Sequence, residues 1–70
     1  MDLSQALAVC RTGVPVRDDI NMTLGWSIRW VPTADKKSGV YRYFNPKGEA
    51  AHLVVFHDRF KGSVAWRDVP

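Results

Sequence analysis

A run of alternating residues between Ile20 and Val31 constrains the fold of this chain more than any other feature. The odd positions are mostly polar or small, and the even positions are apolar: Ile20, Met22, Leu24, Trp26, Ile28 and Trp30. Because successive side chains of a strand point to opposite faces, this period predicts one long strand with a buried face and a solvated face. Pro32 would end the strand, and Gly25 would mark a bulge or bend within it.

The N-terminal segment carries the signals of a short helix. Asp2 can cap the first turn while Gln5 reaches back to it, a variant of the capping box. Gly13 can take the left-handed conformation that ends a helix. The apolar residues between them fall on one helix face: Leu3, Ala6, Leu7 and Cys10. We expect a helix from about Leu3 to Thr12, docked by its apolar side because a helix this short is unstable alone.

The segments around the alternating run predict turns and a second strand. Val14 to Val16 is extended beside a proline, and residues 17–19 (Arg-Asp-Asp) predict a polar turn. The charged residues 33–39 predict a loop. The aromatic segment Val40–Phe44 predicts a strand antiparallel to the first one. Asn45 to Gly48 has the chemistry of a turn.

The segment Glu49–Phe60 is consistent with two structures. Leu53–Phe56 is a compact run of β-branched and aromatic residues, which favours a strand. The preceding Asn-Pro pair could instead cap and begin a helix over Pro46–Phe60. We favour the strand, followed by a turn over residues 57–62 and a last short strand from Ser63 to Trp66.

These elements predict a single small α+β domain over residues 1–70. A chain of 70 residues is long enough for one hydrophobic core and too short for two. The expected arrangement is a short N-terminal helix packed on a three- to four-stranded antiparallel meander sheet. An α-β-β-α fold, with Pro46–Phe60 helical, is the alternative. The residues expected to face the helix are Leu24, Trp26, Ile28 and Trp30.

Few residues suggest catalysis or metal binding. Cys10 is the only cysteine, which rules out an intramolecular disulfide and a cysteine zinc site. At a core-facing helix position, it would act as a small hydrophobe. His52 and His57 are separated by five positions, which would point them to opposite faces of a strand. We therefore predict no metal, no cofactor and no enzymatic activity.

The charge balance favours an anionic partner. Ten Lys and Arg residues against seven Asp and Glu give a net charge of +3, which suits nucleic acid or an acidic protein surface. If Arg29 and Arg42 face the same way on paired strands, they form a basic stripe, and nearby tyrosines could stack on single-stranded bases. The predicted binding residues are Arg29, Lys36, Lys37, Tyr41, Arg42, Tyr43, Lys47, Arg59 and Lys61.

Two functions of different classes fit these residues. The first is a non-enzymatic binding module that engages nucleic acid or a nucleoprotein complex through a basic sheet face. The second is a small protein-binding regulator or inhibitor, of the kind that phages and mobile elements encode, which blocks a target through aromatic and edge-strand contacts. An edge strand could also pair two copies in a homodimer. No segment resembles a secretory signal or a membrane span, so we expect a cytoplasmic protein.

Overall fold

A computed structural model describes all residues from Met1 to Pro70 as an α+β fold with one antiparallel sheet. The helices are α1 (Leu3–Cys10) and α2 (Asp58–Gly62), and neither has the length or apolar content to span a bilayer. The strands are β1 (Val16–Asp18), β2 (Ser27–Pro32), β3 (Gly39–Phe44), β4 (Ala50–Leu53) and β5 (Trp66–Asp68). This confirms the predicted fold class, with five strands rather than three or four.

Helix α1 begins as predicted but ends sooner. The Asp2 carboxylate accepts a hydrogen bond from the Gln5 N–H at 2.8 Å, and the Gln5 side chain accepts from the Asp2 N–H at 3.1 Å, which completes the capping box. The helix ends at Cys10 rather than Thr12, and Gly13 has a φ of +101°. Ala6 and Cys10 are fully buried, so the apolar side of α1 docks on the sheet.

The long strand predicted from Ile20 is wrong in its first half. Residues 19–26 form a loop, and β2 begins only after it. The Asp18 carboxylate turns the chain here, because it accepts hydrogen bonds from the backbone N–H groups of Ile20 (3.0 Å) and Asn21 (3.3 Å). Ile20 and Leu24, which were expected in the core, are 77% and 88% exposed.

Gly25 lies in this loop rather than in a strand bulge. Its φ is +85°, a conformation that favours glycine. A Cβ atom at Gly25 would lie 2.7 Å from the Cγ atom of Pro46. The loop over residues 19–26 therefore lies directly against the turn that follows β3.

Residues 17–19, predicted as a turn, instead supply two residues of a strand. Arg17 and Asp18 belong to β1, and both are buried. Burial raises the pKa of Asp18, but hydrogen bonds from the Asn21 side chain (2.7 Å) and from backbone N–H groups outweigh this effect, so the pKa lies below its ordinary value. The carboxylate is tolerated inside the protein because these donors satisfy it.

The segment Glu49–Phe60, which was consistent with either a strand or a helix, contains a strand and the start of a helix. Ala50–Leu53 confirms the preferred strand at the start, but the run Leu53–Phe56 that favoured it leaves the sheet after its first residue. The alternative helix over Pro46–Phe60 is wrong, because β4 lies within that range. Helix α2 replaces the turn predicted over residues 57–62. The last strand, β5, begins at Trp66 instead of ending there. It pairs with β1, so the order is β4-β3-β2-β1-β5 and only the first four strands form a meander.

The core lies between the two helices and one face of the sheet. Helix α1 contacts β1, β2, β5 and α2 on that side. The buried apolar residues are Ala6, Cys10, Val16, Met22, Ile28, Phe60 and Trp66. Of the four residues expected to face the helix, Ile28 is fully buried, Trp26 and Trp30 are half-buried against the core, and Leu24 is exposed.

No helix covers the other side of the sheet, which we call the open face. Its residues follow from the strand pairing, because directly paired residues of antiparallel strands point to the same side. They are Arg17, Ser27, Arg29, Val31, Val40, Arg42, Phe44, Ala50, Leu53 and Arg67.

Candidate nucleic-acid interface

The pairing of β2 with β3 puts Arg29 and Arg42 side by side on the open face. The two residues are direct partners across the strands. Ile28, next to Arg29, is fully buried against the helices, so Arg29 points away from them. The two arginines therefore face the same way on paired strands, which was the condition for the predicted basic stripe. Like charges directly opposite each other destabilise a sheet, so this pair does not strengthen the β2–β3 pairing.

Strands β1 and β5 add a second pair of arginines. Arg17 is paired with Arg67, and both bind the carboxylate of Asp19. The Nε atom of Arg17 lies 2.7 Å from Oδ1, and the Nε atom of Arg67 lies 2.6 Å from Oδ2. These hydrogen bonds, from Arg17 first and then Arg67, lower the pKa of Asp19. The carboxylate therefore stays ionised at neutral pH and offsets one of the two positive charges.

The remaining carboxylates lie at helix starts, in turns or on the helix side of the sheet. They belong to Asp2, Asp18, Asp35, Glu49, Asp58 and Asp68. The structure has two ion pairs, and both use Asp19. Arg29, Arg42 and the adjacent Lys47 consequently have no carboxylate partner. The open face carries an excess of positive charge.

Apolar side chains accompany these cations. The apolar residues of the open face are Val31, Val40, Phe44, Ala50 and Leu53. The guanidinium carbon of Arg29 lies 4.7 Å from the centroid of the Phe44 ring, a cation–π contact. Leu53 is 57% exposed. The face combines stacking surfaces with positive charge.

Arg42 lies near the middle of the open face without an acceptor of its own. It is flanked by Arg29 on β2 and Leu53 on β4. Its Nε atom is buried and has no hydrogen-bond partner. A buried donor left unpaired costs about 1–3 kcal/mol.

Tyr41 and Tyr43 do not lie beside this arginine pair. The residues paired with them belong to the helix side, so both tyrosines face the helices. Burial raises the pKa of each phenol. Phe44 is the aromatic residue that contacts Arg29. The expectation that tyrosines lie beside the arginines is therefore wrong, and the aromatic residue beside them is Phe44.

The other predicted cations are spread over three places. Lys47 lies in the turn after β3, at the margin of the open face. Lys36 and Lys37 lie in the loop between β2 and β3. Arg59 and Lys61 belong to α2, on the helix side. These last two residues therefore lie away from the open face.

A groove of about 1050 Å³ lies on the helix side and contains both histidines. The His52 ring lies 6.0 Å from that of Trp26 and 5.6 Å from that of Tyr43. His57 lines the same groove, because the chain leaves the sheet after Leu53. The prediction that the histidines point to opposite faces is wrong. No group of three His, Cys, Asp or Glu side chains is placed to hold a metal ion.

Comparison of the chain with protein-family models, curated proteins and solved structures found no match.

Proposed function

We propose that this protein is a non-enzymatic module that binds single-stranded nucleic acid, alone or within a nucleoprotein complex, through its open face. The observation that carries the proposal is the pairing of Arg29 with Arg42 on a face that no helix covers. Arginines supply affinity for phosphates, and their planar guanidinium groups also stack on bases. Phe44 adds an aromatic ring beside them. A cytoplasmic location belongs to the same proposal.

The shape of the open face favours a single strand over a duplex. Proteins read the major groove of DNA mainly by inserting a helix or a two-stranded ribbon. Here, both helices lie on the other side of the sheet. A sheet surface with guanidinium and aromatic groups instead suits the splayed bases and the backbone of a single strand.

The proposal is tested by fluorescence anisotropy with labelled single-stranded and double-stranded oligonucleotides. The double variant Arg29→Gln with Arg42→Gln should lose affinity for the single strand. The matched control is Arg59→Gln with Lys61→Gln, which removes the same charge from the helix side. Equal losses in the two double variants would argue against the open face. Because Arg42 is half-buried, Arg29→Gln alone and a circular-dichroism spectrum separate lost contacts from lost folding.

The exposed edge of β4 favours a second function, that of a protein-binding regulator or inhibitor. Residues 50–56 contain no Asp, Glu, Lys or Arg. Leu53 and Val55 are 57% and 64% exposed. An apolar edge strand with free backbone groups can pair with a strand of another chain, either a target protein or a second copy in a homodimer.

The two functions predict different results when the protein captures partners from a cell lysate. A nucleic-acid binder should lose its captured material after nuclease treatment. A regulator should retain a discrete protein, and Leu53→Lys should release that protein because it places a charge on the exposed edge strand. Light scattering of the purified protein tests the homodimer directly. Arg29→Gln serves as the comparison variant, since it leaves the β4 edge unchanged.

A further inference from the structure

We propose that a groove at one corner of the open face binds the terminal phosphate of a nucleic-acid strand. The groove has a volume of about 460 Å³. The cations that line it are Arg17, Arg29, Lys47 and Arg67, and Asp19 is the only carboxylate among its lining residues. The inference rests on the proposed function and specifies which part of the strand this corner recognises.

Two of these cations already hold an oxyanion. The guanidinium groups of Arg17 and Arg67 both donate to Asp19 through Nε. Arg17 is fixed further, because its Nη1 atom donates to the carbonyl oxygen of Trp26 at 2.8 Å and its side chain is only 7% exposed. A guanidinium fixed in this way loses little further entropy when an anion arrives. This corner of the sheet is built to orient oxygen acceptors.

The charge of the groove suits a dianion. Four cations against one carboxylate leave three positive charges. The side chains of Arg29 and Lys47 make no hydrogen bond to the protein, whereas Arg17 and Arg67 share Asp19. An internal phosphodiester has one negative charge. A terminal phosphomonoester carries about −1.5 to −2 at pH 7 and three acceptor oxygens, which matches the groove better.

The wall of the groove favours the end of a strand over its middle. The loop over residues 19–26 and the turn over residues 45–48 both line the groove. They meet where Gly25 lies against Pro46, since a Cβ atom at Gly25 would be 2.7 Å from the proline Cγ. This contact lies beyond the Ser27–Phe44 pair, at the end of the β2–β3 ladder. It forms a wall of the groove on that side, against which a strand that enters along the open face would end.

The experiment compares three unlabelled oligonucleotides of one sequence as competitors against an internally labelled strand. The first has a 5′-phosphate, the second a 3′-phosphate, and the third has hydroxyl groups at both ends. We expect one phosphorylated oligonucleotide to compete about tenfold better than the hydroxyl form, the effect of one charged hydrogen bond. Lys47→Gln should weaken the phosphorylated oligonucleotide more than the hydroxyl form and so remove this preference. Lys61→Gln, the same change on α2, should keep the preference.

The possible failures are distinguishable. Equal competition by the three oligonucleotides, with the labelled strand still bound, overturns the terminal-phosphate site and leaves the proposed function standing. A preference that survives in Lys47→Gln also overturns it, because the phosphate would then bind elsewhere. Absence of binding to any oligonucleotide overturns the proposed function and this inference together. Lys47 is exposed and its side chain makes no hydrogen bond, so thermal denaturation should show that the variant remains folded.

Discussion

Replacing Arg29 with glutamine should weaken the binding of single-stranded nucleic acid most strongly at low salt. Arg29 is exposed and has no carboxylate partner, so the substitution breaks no ion pair. It removes one positive charge and the contact with the Phe44 ring. The fold should persist, because both neighbours of Arg29 along β2 keep their packing. The effect on binding is therefore attributable to the lost phosphate contact.

The size of the salt dependence follows from the number of cations on or beside the open face that have no carboxylate partner. These cations are Arg29, Arg42 and Lys47. Each phosphate neutralised on a single strand contributes about −0.7 to the slope of log K against log salt concentration. The slope should be about −2.1 for the wild type and about −1.4 for Arg29→Gln. Between about 50 and 200 mM salt, affinity should then fall roughly 18-fold in the wild type and roughly 7-fold in the variant.

Anisotropy titrations at several salt concentrations between about 50 and 200 mM measure both slopes. Lys61→Gln is the control, because it removes one charge from α2 and should leave the wild-type slope. A slope near zero in the wild type would refute the phosphate contacts. A slope unchanged in Arg29→Gln, or reduced equally in Lys61→Gln, would refute the assignment of those contacts to the open face.

The remaining predictions concern stability. Ile28→Ala empties a fully buried position and should lower the free energy of unfolding by about 2–5 kcal/mol. Ile20→Ala, at a 77% exposed position, should change it by less than about 0.5 kcal/mol. Urea unfolding compares the two, and equal losses would contradict the loop over residues 19–26. The pKa of Asp18 is lower in the folded state than its unfolded value of about 3.9, so its contribution is present above about pH 4 and is lost as pH falls through the folded pKa. Asp18→Asn should therefore lose less stability than the wild type between about pH 7 and pH 3, and parallel pH profiles would show that Asp18 contributes nothing to the acid response. Gly39→Ala would place a Cβ atom 2.7 Å from the Trp30 ring and should lower stability by about 1–3 kcal/mol, so an unchanged Tm would contradict this packing.

The loop before β2 shows why the alternation of apolar residues alone predicted a strand that begins too early, at Ile20. Residues 20–26 continue the alternation of β2, but Ile20 and Leu24 are exposed. What bends the chain is the carboxylate of Asp18, which accepts from two backbone N–H groups that follow it. The sequence predicted Asp18 only as one residue of a polar turn over residues 17–19. A buried aspartate in a strand is rare, so sequence reasoning favoured the commoner structure.

The Arg29–Arg42 pair could be predicted only conditionally. Each residue lies on a segment with clear strand character, so both strands were predicted. Whether the arginines share a face depends on the register, and a shift of one residue reverses it. The loop fixes the register, because the Thr33 N–H donates to the Ser38 carbonyl at 2.8 Å and Pro32 then pairs with Gly39. Loop composition alone did not specify this geometry.

The same dependence on register explains the aromatic residues. Residues 41, 43 and 44 are all aromatic, so the sequence of β3 did not distinguish the face of Tyr43 from that of Phe44. Arg17 and Arg67 were missed for another reason. They meet only because β5 returns to pair with β1, a contact between residues 50 positions apart that no local pattern records.

The most direct test of the central claim is to map where a single-stranded oligonucleotide contacts the protein. Two-dimensional ¹H–¹⁵N NMR of the labelled protein reports backbone amides and arginine Nε–H groups in one titration. We predict shifts at Arg29, Arg42, Phe44 and Lys47, and none along α2. Shifts confined to α2 and the groove around His52, or the absence of any shift, would contradict binding through the open face.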